Sequence, residues 1–303
     1  MTETFDVAVI GGGPAGLAGA LWSARYRLKT LLIDAERPRN APTRAIHGYL
    51  GLEDVPPDEL RRIGRRQVLH AGAEFRGVVV SSVEGEKDSF RITPQDGPSL
   101  EARRILFATG LHDAIPEIPG LLDFYGQSIW HCPDCDGPSA TGKRIGIIGW
   151  SPRVVAGCMT MLTWTDRITL LTHGHRPDLS DRSRAALERF SIPVIHHEVE
   201  RLTGDDDGQV KRVHFLDGST ESFDALFFQI NSTPGSSLHG SLGCEVDDEG
   251  ILQISPDHET SVPGAYAAGD ITHGSRLAIR AAAEGTRAAM GIHRSLIPPE
   301  RHV

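Results

Sequence analysis

Residues 5–16 read Phe5-Asp6-Val7-Ala8-Val9-Ile10-Gly11-Gly12-Gly13-Pro14-Ala15-Gly16, and Asp34 stands eighteen residues after Gly16. The apolar run 5–10 has the character of a buried parallel strand. Residues 17–25 (LAGALWSAR) read as a helix, and residues 30–33 (TLLI) as a second strand that ends at Asp34. The stretch is a βαβ unit whose first turn is built from glycine. Gly11 permits the tight turn, Gly13 lets the backbone approach a pyrophosphate, and Gly16 lets helix and strand pack closely. Pro14 and Ala15 belong to the same site, where the helix N-terminus meets phosphate charge. Asp34 is placed to accept hydrogen bonds from a ribose hydroxyl. A plain glycine-rich turn would need neither the flanking elements nor the acid at this distance, so the stretch reads as a dinucleotide site.

Working outward, residues 75–83 and 89–93 read as antiparallel strands around a turn. Residues 104–108 (RILFA) form an apolar strand closed by Thr109-Gly110. The run 115–120 (IPEIPG) marks a domain edge. A second βαβ pattern follows: a strand at 144–148 (RIGII), a helix at 154–164 and a strand at 168–171. Residues 183–190 read as a helix, and 194–196, 210–215 and 225–229 as strands. The turn-rich stretch 231–243 would close this unit. The last segment carries Ala265-Tyr266-Ala267-Ala268-Gly269-Asp270 and an Ala-rich helix over 276–296. The expected fold is α/β, with two Rossmann-like domains of three-layer ββα build, the second inserted into the first. Residues 1–114 and 246–303 form the discontinuous nucleotide-binding domain, and residues 115–245 the central one.

The chain has 303 residues, enough for two domains with cores of ordinary size. Its net charge of −9 argues against a nucleic-acid or anionic-membrane partner, which would call for a basic patch. No apolar run approaches the roughly 20 residues that span a bilayer. The N-terminal Met1-Thr2-Glu3-Thr4 lacks the basic, apolar and small-residue pattern of a signal peptide. Four cysteines in a chain this long are not a disulfide framework. A cytoplasmic location is the expectation.

Cys132-Pro133-Asp134-Cys135-Asp136 is a CxxC pair with a carboxylate directly behind it. A three-residue offset lets two sulfurs meet in one turn and cycle between dithiol and disulfide. Zinc sites use the same spacing but need two further ligands. Cys158 falls within an apolar helical stretch, Cys244 is solitary, and there is no second CxxC. Both read as ordinary buried thiols, and no metal is expected. His131 precedes the pair, and its ordinary titration near neutrality suits a proton shuttle. A surface or hydrogen-bonding histidine is the alternative.

These pieces together resemble the low-molecular-weight thioredoxin reductase family along nearly the whole chain. The matching stretches are 11–16, Ala108-Thr109-Gly110, Ile118-Pro119-Gly120, 132–137, and Thr260-Ser261-Val262-Pro263-Gly264 running into Gly269-Asp270. The resemblance implies an FAD enzyme that is a homodimer. FAD would be bound by the first and last segments, with Thr109 and Gly110 at the site and Gly269 and Asp270 at the ribityl or phosphate region. It implies that the CxxC faces the flavin ring, that Cys135 is the sulfur nearer the flavin, and that Cys132 exchanges with the substrate. Asp136 and His131 would move protons. The substrate implied is a thioredoxin-like protein or a small-molecule dithiol or disulfide.

The chain departs from the family where NADPH should bind. The turn after the second domain's first strand reads Gly149-Trp150-Ser151-Pro152-Arg153-Val154. Ser151 replaces the second glycine, Trp150 is bulky, and Pro152 has no N–H to offer a phosphate. Arg176 alone, in Thr172-His173-Gly174-His175-Arg176-Pro177, stands where the family grips a 2′-phosphate with several arginines. Two relatives share such a loss. The gliotoxin- and holomycin-type dithiol oxidases pass electrons through FAD to oxygen, and they resemble this chain at His47-Gly48-Tyr49-Leu50, with His47 at the cofactor site, and at His131. A diflavin-linked group, a reductase fed by another donor, keeps a second flavin where NADPH would lie. Asp136 points back toward reductases. A non-enzymatic flavin redox sensor is a further alternative, although no output module is evident.

Overall fold

The computed structural model describes residues 3–301. The expected chain start at Met1-Thr2 and end at His302-Val303 lie outside the described residues. The chain divides into two units: Met1–Ala41, Gly48–His112 and Thr233–Val303 form one, and Pro42–His47 and Asp113–Ser232 the other.

The first unit opens with β1 (Thr4–Ile10), α1 (Pro14–Arg25) and β2 (Thr30–Ile33), the βαβ element legible in the glycine-rich stretch. Next come α2 (Pro57–His70), β3 (Glu74–Arg76), β4 (Val80–Glu86), β5 (Ser89–Pro94), β6 (Leu100–Phe107) and β7 (Leu111–Asp113). The sheet order is β3-β2-β1-β6-β5-β4. Strands β3, β2, β1 and β6 run parallel, while β5 and β4 continue antiparallel. From Val7 to Ile10 the side chains of β1 alternate between the two faces of the sheet, and Phe5 at its start joins the face of Ala8 and Ile10. Phe5, Ala8 and Ile10 pack on one face with Val83, Phe90 and Ile92, and Val7 and Val9 on the other with Leu17 and Ala20 of α1.

The second unit contains α3 (Leu121–Phe124), β8 (Ile129–Trp130), α4 (Pro133–Asp136), β9 (Ile145–Ile148), α5 (Val154–Met161), β10 (Ile168–Leu171), α6 (Asp181–Arg189) and β11 (Val194–Ile195). The meander β12 (Val199–Gly204), β13 (Val210–Phe215), β14 (Thr220–Ser222) and then β15 (Ala225–Phe228) complete it. Its main sheet, β11-β10-β9-β15-β8, is wholly parallel. One face packs Ile148, Leu171 and Phe228 against the meander's Val199, Leu202 and Val213. The other packs Ile145, Ile147 and Phe227 against Val154, Cys158 and Leu187 of α5 and α6. This is the meander, sheet and helix sandwich expected of a Rossmann-like domain.

The chain then passes through β16 (Ser232–Pro234) and α7 (Leu238–Ser241) to β17 (Ala265–Ala267) and α8 (Ala278–Leu296). β16 pairs with β7, and β17 pairs in parallel with β6 beyond the end of β5. α8 lies across α1 so closely that a Cβ at Gly285 would meet Ala15 O at 1.9 Å.

Several details differ from the sequence reading, among them Pro42–His47, which falls with the central unit rather than with residues 1–114. The strand expected over 75–83 is broken at Gly77, because β3 pairs in parallel with β2 while β4 turns to pair antiparallel with β5. The helix expected over 154–164 ends at Met161, and the Trp164 ring instead covers Gly137, where a Cβ would lie 2.5 Å from it. Residues 233–245 belong with the first unit rather than the central one. Leu238 and Leu242 bury against the first sheet, and Ser241 Oγ donates to Val83 O at 2.7 Å.

Candidate functional site

In the first unit, the scattered pieces 11–16, 108–110 and 269–270 come together. Gly11 has φ +109°, and a Cβ there would strike Ala108 O at 2.2 Å. A Cβ at Gly16 would meet Gly11 O at 1.7 Å, and one at Gly269 would meet the Cβ of Ala15 at 2.8 Å. Gly13 is different: nothing lies within 4 Å of a Cβ placed there. Gly13 is also the N-cap of α1, with Pro14 in the first turn and no side chain capping the free amides. Thr109 Oγ1 is buried without a hydrogen-bond partner. Gly110 turns the chain at φ +62°. An open cradle at the uncapped start of a twelve-residue helix, with a buried orphan hydroxyl beside it, fits a dinucleotide pyrophosphate.

Charged groups ring this cradle. Arg39 Nη1 donates to Asp270 Oδ2 at 2.7 Å. Gly269 N–H donates to Glu284 Oε2 at 2.9 Å, fixing the turn that carries Asp270. Asp34, at the end of β2, is buried and accepts from Arg61 Nη2 at 2.8 Å. Arg39 and Arg61 escaped the sequence reading. Arg61 sits on α2, which announces itself only through Pro57 and the acidic Asp58 and Glu59 at its start.

The redox site lies in the second unit. Cys132 and Cys135 are joined as a disulfide with Cα atoms 5.3 Å apart. Cys132 is the N-cap of α4, and its sulfur accepts from Cys135 N–H at 3.2 Å. That N–H stabilises a thiolate at Cys132 once the disulfide opens. Asp136 closes α4 and is 7% exposed. Burial pushes its carboxyl up to about 6, and His47 opposes this by favouring the charged form. His47 Nε2 lies 3.9 Å from Asp136 Oδ1. His47, expected among the cofactor contacts, therefore stands beside the acid that follows the disulfide. His131 accepts or donates at Nδ1 with Tyr125 OH at 2.8 Å, and its Nε2 lies 3.4 Å from Asp113 Oδ2. Both ring nitrogens are thus engaged, and neither Asp113 nor Tyr125 carries a motif that would mark it in the sequence.

Cys158 and Cys244 are buried free thiols, and burial pushes Cys158 up to about 12. Among the described residues no group of three or more His, Cys, Asp or Glu side chains is placed to hold a metal ion. Among the same residues no helix is long and apolar enough to cross a membrane.

The turn after β9 closes on itself. Val154 N donates to Ser151 O at 3.1 Å, and a Cβ at Gly149 would meet Gln229 O at 2.5 Å. Trp150 is half-buried and stacks on His175 with ring centroids 4.3 Å apart. His173, in the left-handed region at φ +50°, lies 5.8 Å from the same indole. Arg176 is exposed. Trp150 and His175 thus meet between the turns after β9 and β10, and the first of these turns lacks a second glycine.

A model of the pyridine nucleotide-disulphide oxidoreductase family matches residues 5–285. The chain belongs to that family. Within it the chain is a thioredoxin reductase-like flavoprotein oxidoreductase with a redox-active disulfide at Cys132–Cys135. It is 30% identical to thioredoxin reductase tcpT of Claviceps purpurea (strain 20.1), over 88% of this chain and 86% of that protein. The crystal structure of HlmI superposes with a TM-score of 0.91 at 34% identity, covering 98% of this chain and 94% of HlmI. A putative thioredoxin reductase TrxB from Bacillus anthracis superposes with a TM-score of 0.88 at 30% identity, covering 98% of this chain and all (100%) of its own. The family implies FAD as the cofactor.

Proposed function

We propose that the protein catalyses thiol–disulfide exchange at Cys132–Cys135 with a thioredoxin-like protein or a small-molecule dithiol, and that NADPH is not its ordinary electron donor. The observation that carries this reading is the Trp150–His175 stack over the turn where a nicotinamide dinucleotide would lie. On this reading a dithiol is the donor that the remaining residues serve. A partner thiolate attacks Cys132 Sγ, the Cys132–Cys135 bond breaks, and Cys135 leaves as a thiolate. Asp136, held partly protonated near neutral pH by burial, supplies a proton to the leaving sulfur. His47 returns that proton from solvent, since it is half-exposed beside Asp136. The partner's second thiol then attacks the mixed disulfide, and Cys132 leaves as a thiolate held by Cys135 N–H. The partner departs oxidised and the cysteine pair is reduced. FAD, when bound, supplies the two-electron chemistry that reoxidises the pair, with dioxygen as the final acceptor. Gly11, Gly13, Pro14, Ala15, Gly16, Asp34, Thr109, Gly110, Gly269 and Asp270 would hold it, and His131 would be kept in one orientation by Tyr125 and Asp113.

A reductase fed by another donor, including a second flavin, is the second reading. It is favoured by Asp136, the acid that the resemblance associates with reductases. A homodimer is the assembly we propose on the strength of the same resemblance, and a cytoplasmic location on the sparse cysteine usage. The test mixes purified protein with NADPH, NADH, or dithiothreitol and follows the flavin absorption band without oxygen, then oxygen uptake with it. Bleaching by the dithiol and oxygen uptake are expected. Fast bleaching by NADPH would defeat the reading.

A further inference from the structure

Arg61 and Arg65 lie one turn apart on α2 and converge on the carboxylate at the end of β2. Arg61 Nη2 donates to Asp34 Oδ2 at 2.8 Å, and Arg65 Nη2 lies 3.8 Å from the same oxygen. Arg65 is fixed from two further sides. It donates to Glu36 Oε1 at 2.8 Å, and its guanidinium lies 3.9 Å from the Phe75 ring centroid. Gly12 lets the carboxylate reach the fingerprint turn, since a Cβ there would meet Asp34 Oδ2 at 2.4 Å. The edge is thus both acceptor and donor, with a carboxylate and a guanidinium side by side. Arg61 Nε is buried and has no hydrogen-bond partner. An unmet buried donor is costly, and more so on a charged group.

We infer that Arg61 is a recognition residue for the adenosine ribose of the bound dinucleotide, with Arg65 bracing the carboxylate beside it. Vicinal ribose hydroxyls both donate and accept. Asp34 accepts from one hydroxyl, and the unmet Arg61 Nε–H donates to the other. The inference rests on the FAD reading of the cradle, but the two can fail separately.

The test measures FAD dissociation from the full-length holoprotein by the rise in flavin fluorescence, for the wild type, Arg61→Gln, Arg61→Lys and Arg62→Gln. ADP, which carries the same ribose without a flavin, is titrated calorimetrically into the flavin-free proteins. Loss of a hydrogen bond from a charged donor weakens binding by about tenfold or more. That loss is expected for both Arg61 variants and both probes. Arg62, whose guanidinium pairs with Glu59 on the exposed side of the helix, is the control and stays at wild-type affinity. The flavin-free Arg61→Lys protein keeps its thermal midpoint, because lysine retains the charge beside Asp34. Wild-type affinity in Arg61→Lys would overturn the inference and leave Arg61 a counter-ion. So would a loss of FAD affinity without a loss of ADP affinity, or a loss matched by a fall in the flavin-free midpoint. A wild type that purifies without FAD defeats the flavin reading alone, and the ADP titration then decides for Arg61.

Discussion

Asp136→Asn separates the charge of the buried carboxyl from its shape. Burial raises Asp136 from 3.8 to about 6, with His47 opposing. Between those two values the native chain holds a proton that the unfolded chain has already released. Stability therefore falls as pH rises through that window and levels off above it. The rise from 3.8 to about 6 corresponds to roughly 3 kcal/mol, an upper figure for an ionised carboxylate held in this site. Asparagine cannot ionise and escapes the loss. Relative to the wild type, Asp136→Asn should gain about 2.4 kcal/mol as the pH rises from 4 to 8, with nearly all of the gain made by pH 7. The assay is urea unfolding of the flavin-free chain at several pH values, followed by tryptophan fluorescence, since Trp130, Trp150 and Trp164 all lie in the same unit as Asp136. A difference that does not change with pH would refute the argument, because the carboxyl would then titrate as it does in the unfolded chain. In the same variant, thiol exchange should lose any inflection near pH 6.

Other outcomes follow from the geometry. Gly13→Ala meets no protein atom within 4 Å, so the flavin-free protein should keep its thermal midpoint while FAD affinity drops at least tenfold; equal affinity would show that the phosphates do not use this cradle. Cys135→Ser should abolish turnover with a dithiol, while the Cys132 thiolate, offered the oxidised (disulfide) form of the partner, displaces one of its sulfurs and stays trapped as a mixed disulfide, detectable by mass spectrometry. Normal redox exchange in that variant would remove the pair from the chemistry. Tyr125→Phe takes the hydroxyl from His131 Nδ1 and should cost about 1 kcal/mol of stability in the urea assay, whereas an unchanged value would mean that the hydrogen bond contributes nothing net.

Local pattern carried much of the fold. β2, β10 and β13 match the sequence reading residue for residue, because each is a short run set off by turns. The βαβ start was legible because its glycines have jobs that no other residue performs. Elements whose identity depends on a partner were not legible in the same way. Residues 75–83 look like one strand, but β3 and β4 answer to different neighbours. Residues 233–245 look like loop closure until Leu238 and Leu242 find the first sheet.

The candidate sites divide along the same line. Cys132, Cys135 and Asp136 are adjacent in sequence, so their chemistry could be read from spacing, as could the glycines of the dinucleotide turn. The sequence also showed that the turn after β9 lacks the second glycine of the usual fingerprint. That Trp150 stacks on His175 required the chain to bring two separate turns together. The same is true of His47 beside Asp136, of Tyr125 and Asp113 on either side of His131, and of Arg61 on Asp34. A backbone requirement is written locally, because φ and close approach select the residue type on the spot. A side-chain pairing across tens of residues leaves no local trace, because any arginine or histidine on a suitable element would look the same until packing decides which carboxylate it meets.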